Sequence, residues 1–373
     1  MSNLIDLLPY AEQIPLKLRA VFEQYGYKKY IMSNFEPYDL YWENRNFIKS
    51  EGIITFTAAN GRLMALRPDV TTSIIKHAAM SEQPEKLYYI ENVFRTDHQT
   101  KDFREIRQMG LEYIGGEQGY AEAEVVFLAL QSLQTLGTDY RLNLNHMGLI
   151  EGVLEYVGAE EAVSDDIKMA IKQKNPHDIA MIAQQAGVRA EKIQFLTSFT
   201  ALCGDFQSVL AQLKGFAVNE TMRAAVAELE GLVCAVSAFA PSPNMQFDVS
   251  VINDMDYYNG TVFRGYIKES PSSVLSGGRY DNMMKRFGKE QCALGFGLYL
   301  GELDRAFYAS PEYDADVYLY QNGFAADAVA AAVKALTEKG LRVYTGAQKE
   351  PPVRVKTVYE MTGAGAMEVA AND

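Results

Sequence analysis

The sequence has little cysteine, and its patterns lead us to expect neither a membrane-spanning segment nor a secretory leader. Its three cysteines, Cys203, Cys234 and Cys292, lie far apart, with no CxxC pair and no histidine-rich segment. This spacing argues against a disulfide framework and against a zinc site. No stretch reaches the roughly 18 apolar residues of a membrane span, and the first residues carry acids and a proline where a leader needs a basic end. We therefore predict a protein of the reducing cytoplasm with no membrane segment.

Positive charge is also scarce. Lysine and arginine number 35 against 48 aspartates and glutamates, which gives a formal net charge of −13. Such an excess repels polyanions unless basic residues are concentrated in one place, so the composition argues against broad nucleic-acid binding. The 373 residues, 48% of them apolar, predict a large core with smaller appended or inserted parts.

The order of hydrophobic patterns predicts an α+β protein. Two β-rich runs, residues 86–95 and 105–116, are joined by a charged loop and predict an antiparallel hairpin with a long tip. From about 119 to 238 the chain has helical periodicity. The glycines of SGGRYD, residues 276–281, suit a tight turn. Residues 312–373 predict a small α/β unit.

Polar residues share one face of the predicted hairpin. Side chains at every second position of a strand point the same way, so Gln108, Gly110 and Glu112 form one face with space at the glycine. Arg95 ends the preceding strand and is a candidate anion ligand beside them. On spacing alone, a solvated face with ion pairs explains these residues better than a binding site.

Other candidate residues also have simpler structural explanations. Asp69 and Thr71 stand near a predicted helix start, where an N-cap is the simpler role. Tyr257 and Tyr258 suit packing across strands. The segment GFGLYLG lacks the third glycine and the later acid of the dinucleotide-binding fingerprint.

Taken together, five segments occur in the order and at the distances seen in histidyl-tRNA synthetases, and the chain resembles that family over about residues 5–308. The segments are MALRPDVTTSI, VFRTDHQTKDFREIRQMGLEYIGG, MDYYNGTVF, SGGRYDNMM and LGFGLYLGELDRAF. The resemblance implies the class II aminoacyl-tRNA synthetase fold for residues 1–310, an antiparallel sheet flanked by helices with a helical insertion at about 150–240. It also implies a dimer built around the segment that contains Pro37.

The resemblance further implies a pocket for L-histidine. Asp69, where the family usually has glutamate, would bind the α-ammonium group together with Thr71 and Gln108. Glu112 and Tyr258 would contact the two imidazole nitrogens. Such a pocket rejects apolar analogues, because they would leave its polar groups unpaired. The predicted histidine-binding residues are Asp69, Thr71, Arg95, Gln108, Glu112, Tyr257 and Tyr258.

The catalytic residues of the family are altered. Arg95 matches one family arginine at the α-phosphate, but Asn253 stands where the second is expected and Glu302 where the arginine that holds the terminal phosphates of ATP is expected. Loss of one preorganised charge lowers a rate by on the order of 10²–10³. Tyr299 adds bulk at a family glycine, and Asp97 replaces a glutamate. We expect no catalytic residue, no metal and no cofactor.

The C-terminal unit predicted for residues 312–373 is shorter than the anticodon-binding domain of the family. Retained amino-acid recognition with altered ATP and tRNA functions resembles the inactive synthetase paralogues that serve as regulatory subunits of ATP phosphoribosyltransferase in histidine biosynthesis. That resemblance implies a non-enzyme that supports a short catalytic subunit and its feedback regulation by histidine. The implied assembly is a hetero-oligomer that contains a homodimer of this chain, without tRNA and without a membrane.

Two other functions stay open on the sequence. An active histidyl-tRNA synthetase with a truncated tail would form histidyl-adenylate. An adenylating or ligand-sensing relative would serve another amino acid or a protein partner. The sequence also leaves open whether histidine regulates through this pocket or through a subunit interface.

Overall fold

A computed structural model describes residues 8–43, 52–78, 83–97, 100–116, 119–137, 139–241, 243–252, 257–307 and 312–371. The chain divides into two units. One is Ile14–Ala306, and the other comprises Met1–Gln13 with Phe307–Asp373. None of the helices in the described part combines the length and hydropathy of a membrane crossing.

The larger unit is built on a sheet of nine described strands, and a second, small sheet lies in the same unit. The strands up to residue 306 are β1 (Lys28–Lys29), β2 (Phe35–Pro37), β3 (Thr55–Thr57), β4 (Leu63–Leu66), β5 (Glu85–Thr96), β6 (Phe103–Ile114), β7 (Tyr140–His146), β8 (Cys203–Asp205), β9 (Met245–Asp248), β10 (Thr261–Ile267), β11 (Leu275–Arg279) and β12 (Ala293–Tyr299). The large sheet has the order β1-β5-β6-β12-β11-β10-β7-β9-β8, and the small sheet has the order β2-β4-β3. Neighbouring strands of the large sheet are antiparallel except at β1–β5 and β7–β9.

Helices follow or connect these strands. Up to residue 306 they are α1 (Tyr10–Gln24), α2 (Asp39–Glu43), α3 (Thr71–His77), α4 (Tyr120–Leu136), α5 (Met147–Val157), α6 (Glu161–Lys172), α7 (Pro176–Gln185), α8 (Ala190–Thr200), α9 (Phe206–Phe216), α10 (Glu220–Phe239), α11 (Asp281–Arg286) and α12 (Leu300–Ala306). Helix α4 is buried on almost every side, as expected of a helix with apolar residues around its whole circumference. It packs against the large sheet.

The predicted hairpin is present as β5 and β6, and two other local predictions were wrong. The segment 119–238 was predicted to be helical, yet Tyr140–His146 is a strand between β10 and β9. Leu142 and Leu144 are buried while Asn143 between them is only partly so, which fits the alternation of a strand. The glycines of SGGRYD do not form a turn either. They belong to strand β11, which pairs with both β10 and β12.

A fully buried arginine joins the two sheets of the larger unit. Arg67 follows β4, and its guanidinium donates to the carbonyl oxygen of Ser33 (2.9 Å), just before β2. The same group donates to Glu91 Oε2 (3.0 Å) and to the carbonyl oxygen of Asn92 (2.6 Å), both on β5. These bonds spread the buried charge over three acceptors, as a buried cation requires.

The smaller unit contains a four-stranded sheet with a helix on one face. Its elements are β13 (Ala315–Tyr320), α13 (Ala326–Thr337), β14 (Val343–Gly346), β15 (Val355–Thr362) and β16 (Gly365–Ala371). The strand order is β14-β13-β15-β16, with β13 parallel to both of its neighbours. Leu319, Val329 and Met361 form the core between sheet and helix.

Replacing Lys86 with methionine tests the buried charge beneath α4. Lys86 Nζ lies 2.7 and 2.8 Å from the two carboxylate oxygens of Glu124, whose side chain is 1% exposed. Removing one partner of a buried pair costs about 3–5 kcal/mol, because the other charge loses its compensation. We expect Lys86→Met to lower the free energy of unfolding, measured by urea titration, by about 3 kcal/mol.

The matched control is Lys168→Met, whose partner Asp165 is 67% exposed. An exposed pair contributes under about 1 kcal/mol, so this variant should unfold nearly as wild type does. The double variant Lys86→Met/Glu124→Leu should recover much of the loss. Equal effects of Lys86→Met and Lys168→Met would contradict this account.

Candidate functional site

Glycines open one face of the large sheet where three strands meet. The register pairs Glu112 of β6 with Gly295 of β12, and Gly295 with Gly278 of β11. A Cβ atom at position 295 would collide with the Glu112 carboxylate, and one at position 278 would lie 2.7 Å from the ring of Tyr258. Both approaches are much closer than an ordinary contact between carbon atoms and their neighbours. The two glycines therefore provide the space that the carboxylate and the tyrosine occupy.

Glu112 is the buried polar centre of this face, with a relative exposure of 2%. Thr71 Oγ1 donates to its Oε1 (2.8 Å), and the hydroxyl of Tyr280 donates to its Oε2 (2.6 Å). Burial raises the pKa of Glu112 to about 7, although both hydrogen bonds act in the opposite direction. The carboxyl group can therefore exchange a proton near neutral pH.

Three tyrosines surround this carboxylate. The ring centroids of Tyr257 and Tyr258 are 4.5 Å apart, and Tyr257 lies 5.7 Å from Tyr280. Burial raises the pKa of Tyr258, and the carboxyl group of Glu112 acts in the same direction. The Tyr258 hydroxyl therefore stays neutral at physiological pH and is available as a hydrogen-bond donor.

Asp69 and Thr71 lie at the start of α3, as the sequence predicts. Both oxygens of Asp69 are used there, because Oδ1 accepts from the backbone N–H of Thr72 and Oδ2 accepts from its hydroxyl, each at 2.8 Å. Asp69 thus performs the structural role of a cap at the first turn of the helix. Its charge nevertheless acts on Glu112, Tyr257 and Tyr258, which places it beside the same cluster.

Arg95 and Gln108 line an adjoining cavity of about 520 Å³ together with Tyr299, Glu302 and Arg305. Arg95 Nε donates to the carbonyl oxygen of Pro68 (2.8 Å), and Gln108 pairs in register with Tyr299. The structure therefore divides the seven predicted site residues. Five surround or adjoin the glycine-lined face, and two lie on this second cavity.

Acidic side chains pair with cations around the second cavity. Arg305 Nη1 lies 2.9 Å from Glu302 Oε1, and Arg104 Nη2 lies 2.6 Å from Asp97 Oδ2. Glu302 therefore lines the cavity and pairs with Arg305 of the same helix, α12. Asn253, the other position where the family resemblance leads us to expect an arginine, lies outside the described residues.

Sequence reasoning missed Tyr280 and Arg264. Tyr280 stands directly after β11, and only the fold brings its hydroxyl to Glu112. Arg264 pairs in register with Ser276 and Asn143, and its Nη2 donates to the carbonyl oxygen of Ile252 (3.4 Å). An arginine in the apolar strand TVFRGYI was a signal that could have identified it, since alternation predicts that it faces away from the core.

The titration of Glu112 predicts a pH-dependent stability. Its ordinary pKa is 4.5 and its folded pKa is about 7, so between these values the folded protein holds a proton that the unfolded chain releases. Its contribution to stability is therefore full at low pH and falls by up to about 3 kcal/mol as the pH rises through 7. Glu112→Gln cannot ionise. We expect the unfolding free energy of this variant, relative to wild type, to rise by about 3 kcal/mol between about pH 5 and pH 8 in urea titrations.

Glu191→Gln is the control, because its side chain is 64% exposed and its difference from wild type should stay nearly constant with pH. A difference between Glu112→Gln and wild type that does not change across this range would show that the carboxyl group titrates normally in the fold.

Comparisons with known proteins show which family this chain resembles. A family model described as histidyl-tRNA synthetase matches residues 6–303. The chain is 27% identical over 289 residues to an ATP phosphoribosyltransferase regulatory subunit of Alkaliphilus metalliredigens, covering 76% of this chain and 73% of the relative. It is 31% identical over 288 residues to a histidine–tRNA ligase of Methanocaldococcus jannaschii, covering 75% of this chain and 68% of the relative.

Solved structures share the fold. An ATP phosphoribosyltransferase regulatory subunit/histidyl-tRNA synthetase from Bacillus halodurans C has a TM-score of 0.76 at 24% identity, covering 90% of this chain and 88% of that one. Histidyl-tRNA synthetase from Nostoc sp. PCC 7120 has a TM-score of 0.77 at 18% identity, covering 96% and 93%. The predicted class II synthetase-like fold is confirmed. Because the family model matches residues 6–303, most of the chain, the chain belongs to the histidyl-tRNA synthetase family.

Proposed function

We propose that this chain is a non-catalytic regulatory subunit of ATP phosphoribosyltransferase, which a short catalytic subunit requires for activity and for feedback regulation by histidine. The observation that carries the proposal is a contrast between two adjoining cavities. The glycine-lined face keeps a buried, hydrogen-bonded carboxyl group, whereas the second cavity has an acid paired with its arginine. The Alkaliphilus relative bears the name of such a subunit.

The buried face suits an imidazole. Glu112 offers a carboxyl group whose pKa of about 7 is close to the ordinary value of about 6.5 for imidazole, so either partner can hold the shared proton. Tyr258 offers a neutral hydroxyl for the second ring nitrogen, and Thr71 keeps Glu112 in place through its hydrogen bond. In this proposal the α-ammonium group contacts Asp69, Thr71 and Gln108, while Tyr257 closes the pocket.

The second cavity does not suit a triphosphate. A phosphate group that approached Arg305 would meet the carboxylate of Glu302 at the same place, and like charges at short range repel each other. Together with Asn253 at the other arginine position, this arrangement supports amino-acid binding without adenylate formation.

Regulation follows from linkage. If histidine lowers the activity of the assembly by favouring one of its states, that state must bind histidine more tightly. We place this chain as a homodimer in a cytoplasmic hetero-oligomer with the short catalytic subunit, without tRNA.

An active histidyl-tRNA synthetase is the second candidate. The 31% identity to a histidine–tRNA ligase favours it. Arg264 favours it as well, because this cation lies on β10 directly opposite Ser276 of β11, on the sheet face that carries the site. The two candidates differ in one reaction, the histidine-dependent exchange of pyrophosphate into ATP.

The first test of the proposal mixes this chain with the short catalytic phosphoribosyltransferase chain of the same organism. We expect the two to copurify, the phosphoribosyltransferase rate to rise, and the rise to be inhibited by histidine. Pyrophosphate exchange should stay at least about 10²-fold below that of the synthetase from the same organism, because an arginine is absent at each of two positions. Exchange at a synthetase-like rate, or a catalytic chain that ignores this one, would overturn the proposal.

The second test is calorimetric titration with L-histidine. We expect wild type to bind it and Thr71→Val to bind about 10-fold more weakly, because one hydrogen bond of about 1 kcal/mol is lost and Glu112 loses a donor. Thr135→Val is the matched control, since Thr135 Oγ1 donates to the carbonyl oxygen of Gln131 within α4 (2.8 Å). Absence of heat with wild type, or equal affinity of wild type and Thr71→Val, would remove the histidine pocket from the proposal.

A further inference from the structure

A separate cleft of about 570 Å³ opens on the large sheet and has Arg264 in its lining. Strands β7 and β10 form one side of it, and the segment at the end of α6 forms another. It does not include Glu112 or the tyrosines around that residue. We propose that this cleft binds a small sugar phosphate with at least two phosphate groups. The proposal does not depend on the function proposed above.

Positive charge is concentrated in this cleft, although the chain as a whole carries −13. Two acids lie in the lining, Asp139 and Asp248. Five cationic side chains share that lining: Arg141, Lys172, Lys174, Arg264 and Lys268. Such local concentration attracts a multiply charged anion to a protein that repels anions elsewhere.

The two acids offset only part of this charge, because each pairs with one lysine and the lining holds five cations. Asp248 is buried, and it accepts hydrogen bonds from Asn143 Nδ2 (3.1 Å), Lys174 Nζ (2.8 Å) and the Ser250 hydroxyl (2.6 Å). Asp139 lies 4.0 Å from Lys268, and both side chains are more than 70% exposed, where an ion pair contributes little.

Two arginines of the cleft sit on one sheet face at a spacing that suits two phosphates. Arg264 pairs with Asn143, and Tyr266 pairs with Arg141 on the neighbouring strand. These pairs are two residues apart, so they share a face and lie roughly 7 Å from each other along the strands. Guanidinium groups bind phosphate through paired hydrogen bonds. Within the part of the chain that the structure describes, no carboxylate forms an ion pair with Arg141 or Lys172.

A buried acceptor indicates that the ligand also carries hydroxyl groups. Asn143 Oδ1 is buried, and among the described residues nothing donates a hydrogen bond to it. Buried polar atoms normally have a partner, and a sugar hydroxyl would supply the missing donor. The cavity volume falls within the range of small-molecule sites, about 300–1,000 Å³.

The test uses fructose 1,6-bisphosphate as the probe, with fructose 6-phosphate for comparison, in calorimetric titrations at low ionic strength. We expect the bisphosphate to bind at least about 10-fold more tightly than the monophosphate, because it reaches cations at two positions. The variant Arg141→Gln/Lys172→Gln should lose at least about 10-fold in affinity for the bisphosphate.

The matched control is Lys214→Gln/Arg223→Gln, which removes the same two charges from exposed pairs on α9 and α10. It should bind the bisphosphate within about twofold of wild type, and both double variants should unfold at the wild-type temperature. No heat from the bisphosphate, equal affinities for the two sugars, or an equal loss in both double variants would overturn the proposal. Histidine titration of the same variants reports on the other pocket separately.

Discussion

Glu112 can lie inside the sheet only where the neighbouring strand has no side chain opposite it. Glycine at 295 meets that condition, and glycine at 278 does the same for the ring of Tyr258. The carboxyl group is thereby removed from water, which raises its pKa, and it is held by hydroxyl donors from α3 and from the end of β11. The polarity and the shape of the site both depend on these missing side chains.

Charge is distributed unevenly over the sheet face that surrounds this centre. On one side, Glu302 and Asp97 neutralise arginines beside the second cavity. On the other side, beyond Arg264, cations exceed acids in the cleft. A single sheet face therefore presents a buried acidic pocket between a region of paired charges and a basic one, and this order limits which anions each region attracts.

The sequence patterns predicted the hairpin and the small C-terminal α/β elements because each depends on local periodicity. They failed at β7, whose polar asparagines interrupt a helical composition and find their partners only across the sheet. They failed at β11 because the glycines that suit a turn are required there by close neighbours, which no local pattern shows. For the same reason Tyr280 and Arg264 became site residues only once distant strands were paired.

Arg67 has a mechanical consequence. Its guanidinium is shared between the segment that enters the small sheet and strand β5 of the large one. A displacement of the small sheet must therefore carry β5 along. Otherwise the buried guanidinium would lose its acceptors, at a cost of several kcal/mol. Any force applied to that small sheet would reach the strand beside Glu112 as a rigid shift rather than be dissipated in a loop.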